Sequence, residues 1–207
     1  MSSLVTPSIE SLVPYEGGKP VEELARELGI THAVKLASNE NPLGPSPRAL
    51  EAARQVFASV HRYPDGAAYA LRDRIAQFYG VARDEVLQGA GSNELLDLVV
   101  RAFATPEHHI VFGEPAFIVY RIAALAGGVP FTAVPLKDHA HDLPAMAAAV
   151  TPKTRVMFVA NPNNPTGAHV GRAAVEELLR TVPPEVIVVM DEAYFEYASA
   201  PDYPNAL

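Results

Sequence analysis

Val186-Ile-Val-Val-Met-Asp-Glu-Ala-Tyr-Phe-Glu-Tyr197 is the stretch on which the fold turns. Its first five residues are apolar and three are Val, a run too short for a helix and suited to a strand buried on both faces. The run stops at Asp191, which puts a carboxylate where a buried strand emerges. In open α/β sheets, ligands collect at the carboxyl ends of the strands. Tyr194 follows three residues later, in reach of the same crevice. Upstream, Val156 to Ala160 predicts a second buried strand, and it runs into Asn161-Pro-Asn-Asn-Pro-Thr-Gly167. Two strand ends carrying Asn, Asp and Tyr predict one polar site.

Between these ends, a helix around Ala173 to Arg180 completes a βαβ unit, whose crossover should be right-handed. Working back, Ile110 to Phe112 predicts a strand ending in Gly113-Glu-Pro-Ala-Phe117. A helix over Ile118–Ala126, a strand over Phe131–Leu136 and a small helix over Leu143–Val150 follow. Val86 and Leu87 start a short strand that enters Gly89-Ala-Gly-Ser-Asn-Glu94, and a helix with apolar Leu95, Leu96, Val99, Val100 and Phe103 begins at once. Glycines let a ligand approach the backbone, and a helix N-terminus offers unpaired amides. This is a candidate phosphate cup at Gly91, Ser92 and Asn93, although Ser92 could serve only as an N-cap. It matches neither the nucleotide loop ending in Gly-Lys-Ser/Thr nor the dinucleotide glycine fingerprint.

Nearer the N-terminus, helices are expected over Val21–Leu28, Pro47–Val60 and Tyr69–Tyr79, with a small strand over Val34–Ala37 and an extended arm over Met1–Pro20. A charge of −8 argues against nucleic acid and anionic membranes as partners. The chain has no cysteine, so disulfides and thiolate metal sites are excluded. His108, His109, His139 and His141 fall in loops without supporting carboxylate spacing and read as solvated, so no metal site is expected. No signal pattern or membrane-length apolar run is evident, which points to a cytoplasmic protein. The Gly-x-Ser-x-Gly and His-Glu-x-x-His motifs are absent, which removes the hydrolase and zinc readings.

Asn161-Pro-Asn-Asn-Pro-Thr-Gly167 followed by Asp191-Glu-Ala-Tyr194 resembles the fold-type I pyridoxal-phosphate aminotransferases, and within them the histidinol-phosphate aminotransferases. The resemblance implies an α/β, three-layer large domain with a mostly parallel sheet, preceded by an N-terminal arm. Residues 1–46 would form the arm and the start of a small domain, and 47–207 the cofactor-binding large domain. It implies that Asp191 pairs with the pyridinium nitrogen of pyridoxal 5′-phosphate, that Asn164 and Tyr194 hydrogen-bond its phenolic oxygen, and that Phe117 stacks on its ring. Gly91, Ser92 and Asn93 would hold the phosphate, joined by Tyr63 of the Arg62-Tyr-Pro-Asp65 turn reaching across a homodimer interface. Tyr15 and Asn41 match positions beside the substrate. The implied reaction moves an amino group from histidinol phosphate to 2-oxoglutarate, in histidine biosynthesis.

The family's Schiff-base lysine stands in a Ser-Lys motif after the Asp-Glu-Ala-Tyr segment. Here the lysines are Lys19, Lys35, Lys137 and Lys153; all precede Asp191, and none stands in that motif. The arginine that grips the substrate carboxylate has no counterpart either. The expectation is therefore the N-terminal portion of a longer enzyme, with the large domain incomplete and inactive alone. Its missing strands should leave a gap between the first strand and the Asp-bearing one, with unpaired backbone at two new edges. An aromatic aminotransferase or a threonine-phosphate decarboxylase would share these motifs, and a non-catalytic binding fragment would keep the cup without the chemistry.

Overall fold

The computed structural model describes residues 4–13 and 17–207. Four strands form the centre: β1 (His109–Glu114), β2 (Phe131–Pro135), β3 (Thr154–Ala160) and β4 (Ile187–Asp191). They lie in the order β2-β1-β3-β4, and every pairing is parallel. Eight helices accompany them among the described residues: α1 (Pro7–Glu10), α2 (Val21–Leu28), α3 (Pro47–Val56), α4 (Tyr69–Tyr79), α5 (Ser92–Phe103), α6 (Val119–Ala126), α7 (Leu143–Ala148) and α8 (Arg172–Thr181).

Side chains alternate across a strand, so an unbroken apolar strand fills two cores at once. Ile110, Phe112, Val156, Phe158 and Ala160 face Leu96 and Val100 of α5 and Tyr120, Ala123 and Ala124 of α6. Val111, Met157 and Val159 face Leu143 and Met146 of α7 and Val175 and Leu178 of α8. This is a three-layer helix–sheet–helix sandwich, and the even and odd positions of β1 and β3 specify which layer is which. Phe158 and Met157 are fully buried neighbours on opposite faces. Burying a side chain of that size stabilises by roughly 1.5–3 kcal/mol.

Some expected elements differ. β4 is half-buried at every position rather than enclosed on both faces, because it is an edge of the sheet and only β3 pairs with it. Val34–Ala37 forms no strand: among the described residues no strand pairs with it, and Val34 and Leu36 are exposed. Val86 is buried, but Val86 and Leu87 do not join the sheet either, and Leu87 is exposed. A strand is stable only with a hydrogen-bonded neighbour, which propensity cannot supply. The Pro47–Val60 helix splits into α3 and a 3-10 turn, Phe57–Ser59. Its apolar face is uncovered among the described residues: α3 has no buried residue, and Leu50, Val56 and Phe57 are exposed.

Two of the four histidines are not solvated. His141 is buried, with Gly113 directly against its ring, where a Cβ would come within 2.1 Å of Nδ1. His109 is half-buried in β1 and spans to both neighbouring strands: Nδ1 lies 3.0 Å from Thr154 Oγ1 and Nε2 2.9 Å from Thr132 Oγ1. Burial lowers the pKa of each below the ordinary imidazole value, with the Ala160 backbone opposing in part at His141. Both histidines escaped the sequence reading because their burial comes from partners distant in the chain.

Candidate active site

The carboxyl ends of β3 and β4 meet where Asn161 N–H donates to the Asp191 carbonyl at 2.9 Å, just past the register pair Ala160 and Asp191. Beyond β3, the chain turns sharply through residues 161–167, and side-chain amides hold that turn. Asn161 is fully buried; its Oδ1 accepts from Val170 N–H at 2.9 Å and its Nδ2 donates to Val170 C=O at 3.2 Å. The amide thus copies a strand pairing where the chain has no strand. Asn163 Nδ2 donates to Pro115 C=O at 3.1 Å and to Thr166 Oγ1 at 2.9 Å, and Thr166 in turn donates to His139 C=O at 2.8 Å. Gly167, at φ 72°, closes the turn with its N–H on Asn163 C=O at 2.7 Å. Tyr203 adds a hydroxyl to Asn161 C=O. The residue left free to face outward is Asn164.

Around this end lies a small cavity of about 80 Å³ lined by Ser92, Phe117, Ala160, Pro162, Asn164, Asp191, Ala193 and Tyr194. Five residues singled out from sequence therefore converge: Ser92 from the start of α5, Phe117 from the turn before α6, Asn164, and Asp191 with Tyr194 after β4. A larger cavity of about 610 Å³ shares Pro162, Asn164 and Tyr194 as walls and adds Asn39, Glu40, Pro42, His169 and Tyr197. No lysine lines either cavity.

The remaining predicted positions are placed differently. Gly91 caps α5 at φ 79°, so Ser92 is the first helical residue rather than the cap. Asn93 faces a groove between α5 and α6 instead of the small cavity. Asn41 closes its own turn, accepting from Leu43 N–H at 3.0 Å, and lines neither cavity. Tyr63 is fully exposed. Tyr15 lies outside the described residues.

Two side chains missed from sequence complete the shell. Tyr120 donates its hydroxyl to Asp191 Oδ2 at 2.7 Å, while Ala193 N–H donates to Oδ1 at 3.2 Å. Asn39, 155 residues before Tyr194, donates Nδ2 to the Tyr194 phenolic oxygen at 2.7 Å. With its oxygen already accepting, the Tyr194 hydroxyl keeps its own proton to donate elsewhere. A signal existed for Tyr120, a lone hydroxyl in an apolar helix one turn after Phe117; for Asn39 it was the Asn39-Glu-Asn-Pro42 segment, which in the resembling family lies beside the substrate, although Asn41 was the residue singled out.

The donor set is one a flat, anionic, nitrogen-containing ring would fit. A carboxylate, an amide, a phenol, an arene and a serine at a helix N-terminus all border one cavity.

The sequence pattern of "Aminotransferase class I and II" matches residues 31–206, and the chain belongs to that family. Its fold is that of the fold-type I pyridoxal-phosphate aminotransferases. Among curated relatives it resembles a histidinol-phosphate aminotransferase 2 of Pseudomonas fluorescens, 52% identical over 207 residues, and one of Pseudomonas aeruginosa, 53% identical over 207 residues. In each case the match covers 99% of this chain and 56% of the relative, so the chain spans about half the length of the curated relatives it matches. The crystal structure of histidinol-phosphate aminotransferase from Sinorhizobium meliloti in complex with pyridoxal-5′-phosphate superposes with a TM-score of 0.86 at 29% identity, covering 98% of this chain and 54% of that one.

Proposed function

We propose that these residues carry the cofactor-binding part of a pyridoxal-phosphate-dependent aminotransferase that takes its amino group from histidinol phosphate and delivers it to 2-oxoglutarate. The observation that supports this most is the convergence of Ser92, Phe117, Asn164, Asp191 and Tyr194 on one cavity from segments far apart in the chain. When bound, the cofactor supplies a protonated pyridine ring able to draw electrons from the substrate carbon.

Each residue then has a distinct task. Asp191 holds the proton on the ring nitrogen through a charge-assisted hydrogen bond. Asn164 and the free hydroxyl proton of Tyr194 donate to the ring's phenolic oxygen. Phe117 presents a π face to the ring; where the family commonly has Tyr, it keeps the stacking and forgoes one hydroxyl. Ser92 and the first amides of α5 meet the phosphate, with Gly91 keeping the approach free of a side chain. Tyr63, wholly exposed, reaches the phosphate of a second copy in a homodimer, and the larger cavity receives the amino donor. Tyr15 and Asn41 lie on the substrate side in this reading. The amine that anchors the cofactor and moves the substrate proton comes from outside these residues, since Lys19, Lys35, Lys137 and Lys153 line neither cavity.

Equilibrium dialysis of the chain with pyridoxamine 5′-phosphate tests the cofactor reading. One saturable site, weakened by Asp191→Ala, is expected, and no binding at any ligand concentration overturns it. For the substrate, the enzyme that contains this segment together with a lysine-bearing partner segment should prefer histidinol phosphate to aromatic amino acids and to threonine phosphate. A preference for either of the others selects that activity instead.

A further inference from the structure

Tyr120 does not border the cofactor cavity, yet it is the largest fully buried side chain among the described residues and spends its one hydrogen-bond donor on Asp191. Its ring is clamped. It stacks on Phe158 with centroids 4.8 Å apart and planes 5° from parallel, and Phe117 meets it edge-on at 6.0 Å and 88°. The hydroxyl is therefore aimed by the rigid interface of α6 and β3 and not by a loop. Burial, and then the neighbouring Asp191 charge, raise the phenol's pKa far above its ordinary value, so it stays a donor at every working pH. Ala193 N–H holds the other carboxylate oxygen at 3.2 Å. One donor per oxygen sets the plane of the carboxylate and leaves further lone pairs on each oxygen for a ligand.

We propose that Tyr120 is the positioning residue for Asp191, holding its carboxylate in the orientation that meets the nitrogen of a bound pyridine ring. The inference rests on the pyridoxal-phosphate reading above. A carboxylate at the end of an edge strand, half-exposed and flanked by an exposed turn, would otherwise rotate about its own side-chain bonds. Pre-orientation saves the ordering cost at the moment of binding, and Tyr120 supplies it from the core. The competing account is that Tyr120 is an ordinary core residue whose hydroxyl needed an acceptor. The two accounts differ in what they predict for ligands with and without a ring nitrogen.

The test measures the affinity of the chain for pyridoxamine 5′-phosphate and for its isosteric analogue with C–H in place of the ring nitrogen. Their ratio reports the nitrogen contact alone. The unmodified chain should favour the nitrogen ligand, and Asp191→Asn should bring the ratio close to one. Tyr120→Phe, which keeps the stacked ring, should cut the ratio about tenfold, the scale of a hydrogen bond to a charged group, while leaving affinity for the C–H analogue unchanged. Phe158→Leu, which removes the stacking platform but keeps the hydroxyl, should cut it less. If Tyr120→Phe weakens both ligands equally, or leaves the ratio intact, the positioning role is overturned. If Asp191→Asn itself leaves the ratio intact, the cofactor reading fails and takes this inference with it. A collapse with Asp191→Asn and none with Tyr120→Phe overturns the inference alone.

Discussion

Asn161 shows how a single amide can hold an active-site turn. Both of its polar atoms pair with Val170 in a fully buried position, so Asn161→Ala would leave a backbone N–H and C=O without partners. We expect that variant to lose about 2–3 kcal/mol of stability, read as a lower urea midpoint with an unchanged denaturant slope. Asp191→Ala acts on both stability and binding. It leaves the buried Tyr120 hydroxyl without its acceptor, so a loss of about 1–3 kcal/mol is expected, and pyridoxamine 5′-phosphate should bind at least tenfold more weakly to the folded variant, the minimum for one charge-assisted hydrogen bond. Near-normal affinity in that variant would remove Asp191 from the ring nitrogen. Asn39 acts on the same site from the N-terminal segment through one hydrogen bond to Tyr194. That pairing is invisible in sequence because no spacing rule connects positions so far apart, whereas Asp191 and Asn164 stand at strand ends that an apolar run announces.

Among the elements, β1 carries two constraints that only its packing reveals. At its start, His109 links β2 and β3 through Thr132 and Thr154. Further along, Gly113 lies flat against the buried His141 ring. Gly113→Ala drives a methyl into that ring, and a cost of about 1–3 kcal/mol is expected from overpacking. Both histidines have pKa values lowered in the folded state, chiefly by burial. The folded chain thus takes up a proton less readily than the unfolded chain. Well above the ordinary imidazole value of 6.5 both states are neutral and these two histidines exert no pH effect. As pH falls below it, the unfolded state is protonated first, and stability drops until the lowered folded values are passed. Urea midpoints should decline through that window, and His109→Gln should flatten the decline. A pH-independent midpoint there would mean that neither imidazole is shifted.

At the scale of the whole molecule, the apolar positions of α3, the Tyr63 turn and α4 stand largely uncovered, while β4 ends the sheet half-exposed. If Tyr63 serves a second copy, the enzyme containing this segment is an obligate dimer, and Tyr63→Phe should loosen cofactor retention without unfolding the subunit. Sedimentation of a fully active monomer would exclude that arrangement. The 207-residue chain mixed with pyridoxal phosphate, histidinol phosphate and 2-oxoglutarate should show no amino transfer, and measurable turnover would mean that one of its four lysines reaches the site. The parallel strands and their polar ends were legible in the residues, because burial on both faces forces unbroken apolar runs and a buried strand can turn polar only where it emerges, whereas the three-layer arrangement followed from the family resemblance. Asp191, Tyr194 and Ser92 stood out at the ends of elements, while Asn164 and Phe117 were singled out through the family resemblance. What packing alone decided was which segments become strands and which side chains back the site. Val34–Ala37 and Val86–Leu87 have strand composition but no neighbour to pair with, and β4 has one neighbour where its composition suited two. Tyr120, Asn39, His109 and His141 take their roles from partners in other segments, since a hydrogen bond between distant positions depends on where the chain brings them and leaves no periodic trace in the sequence.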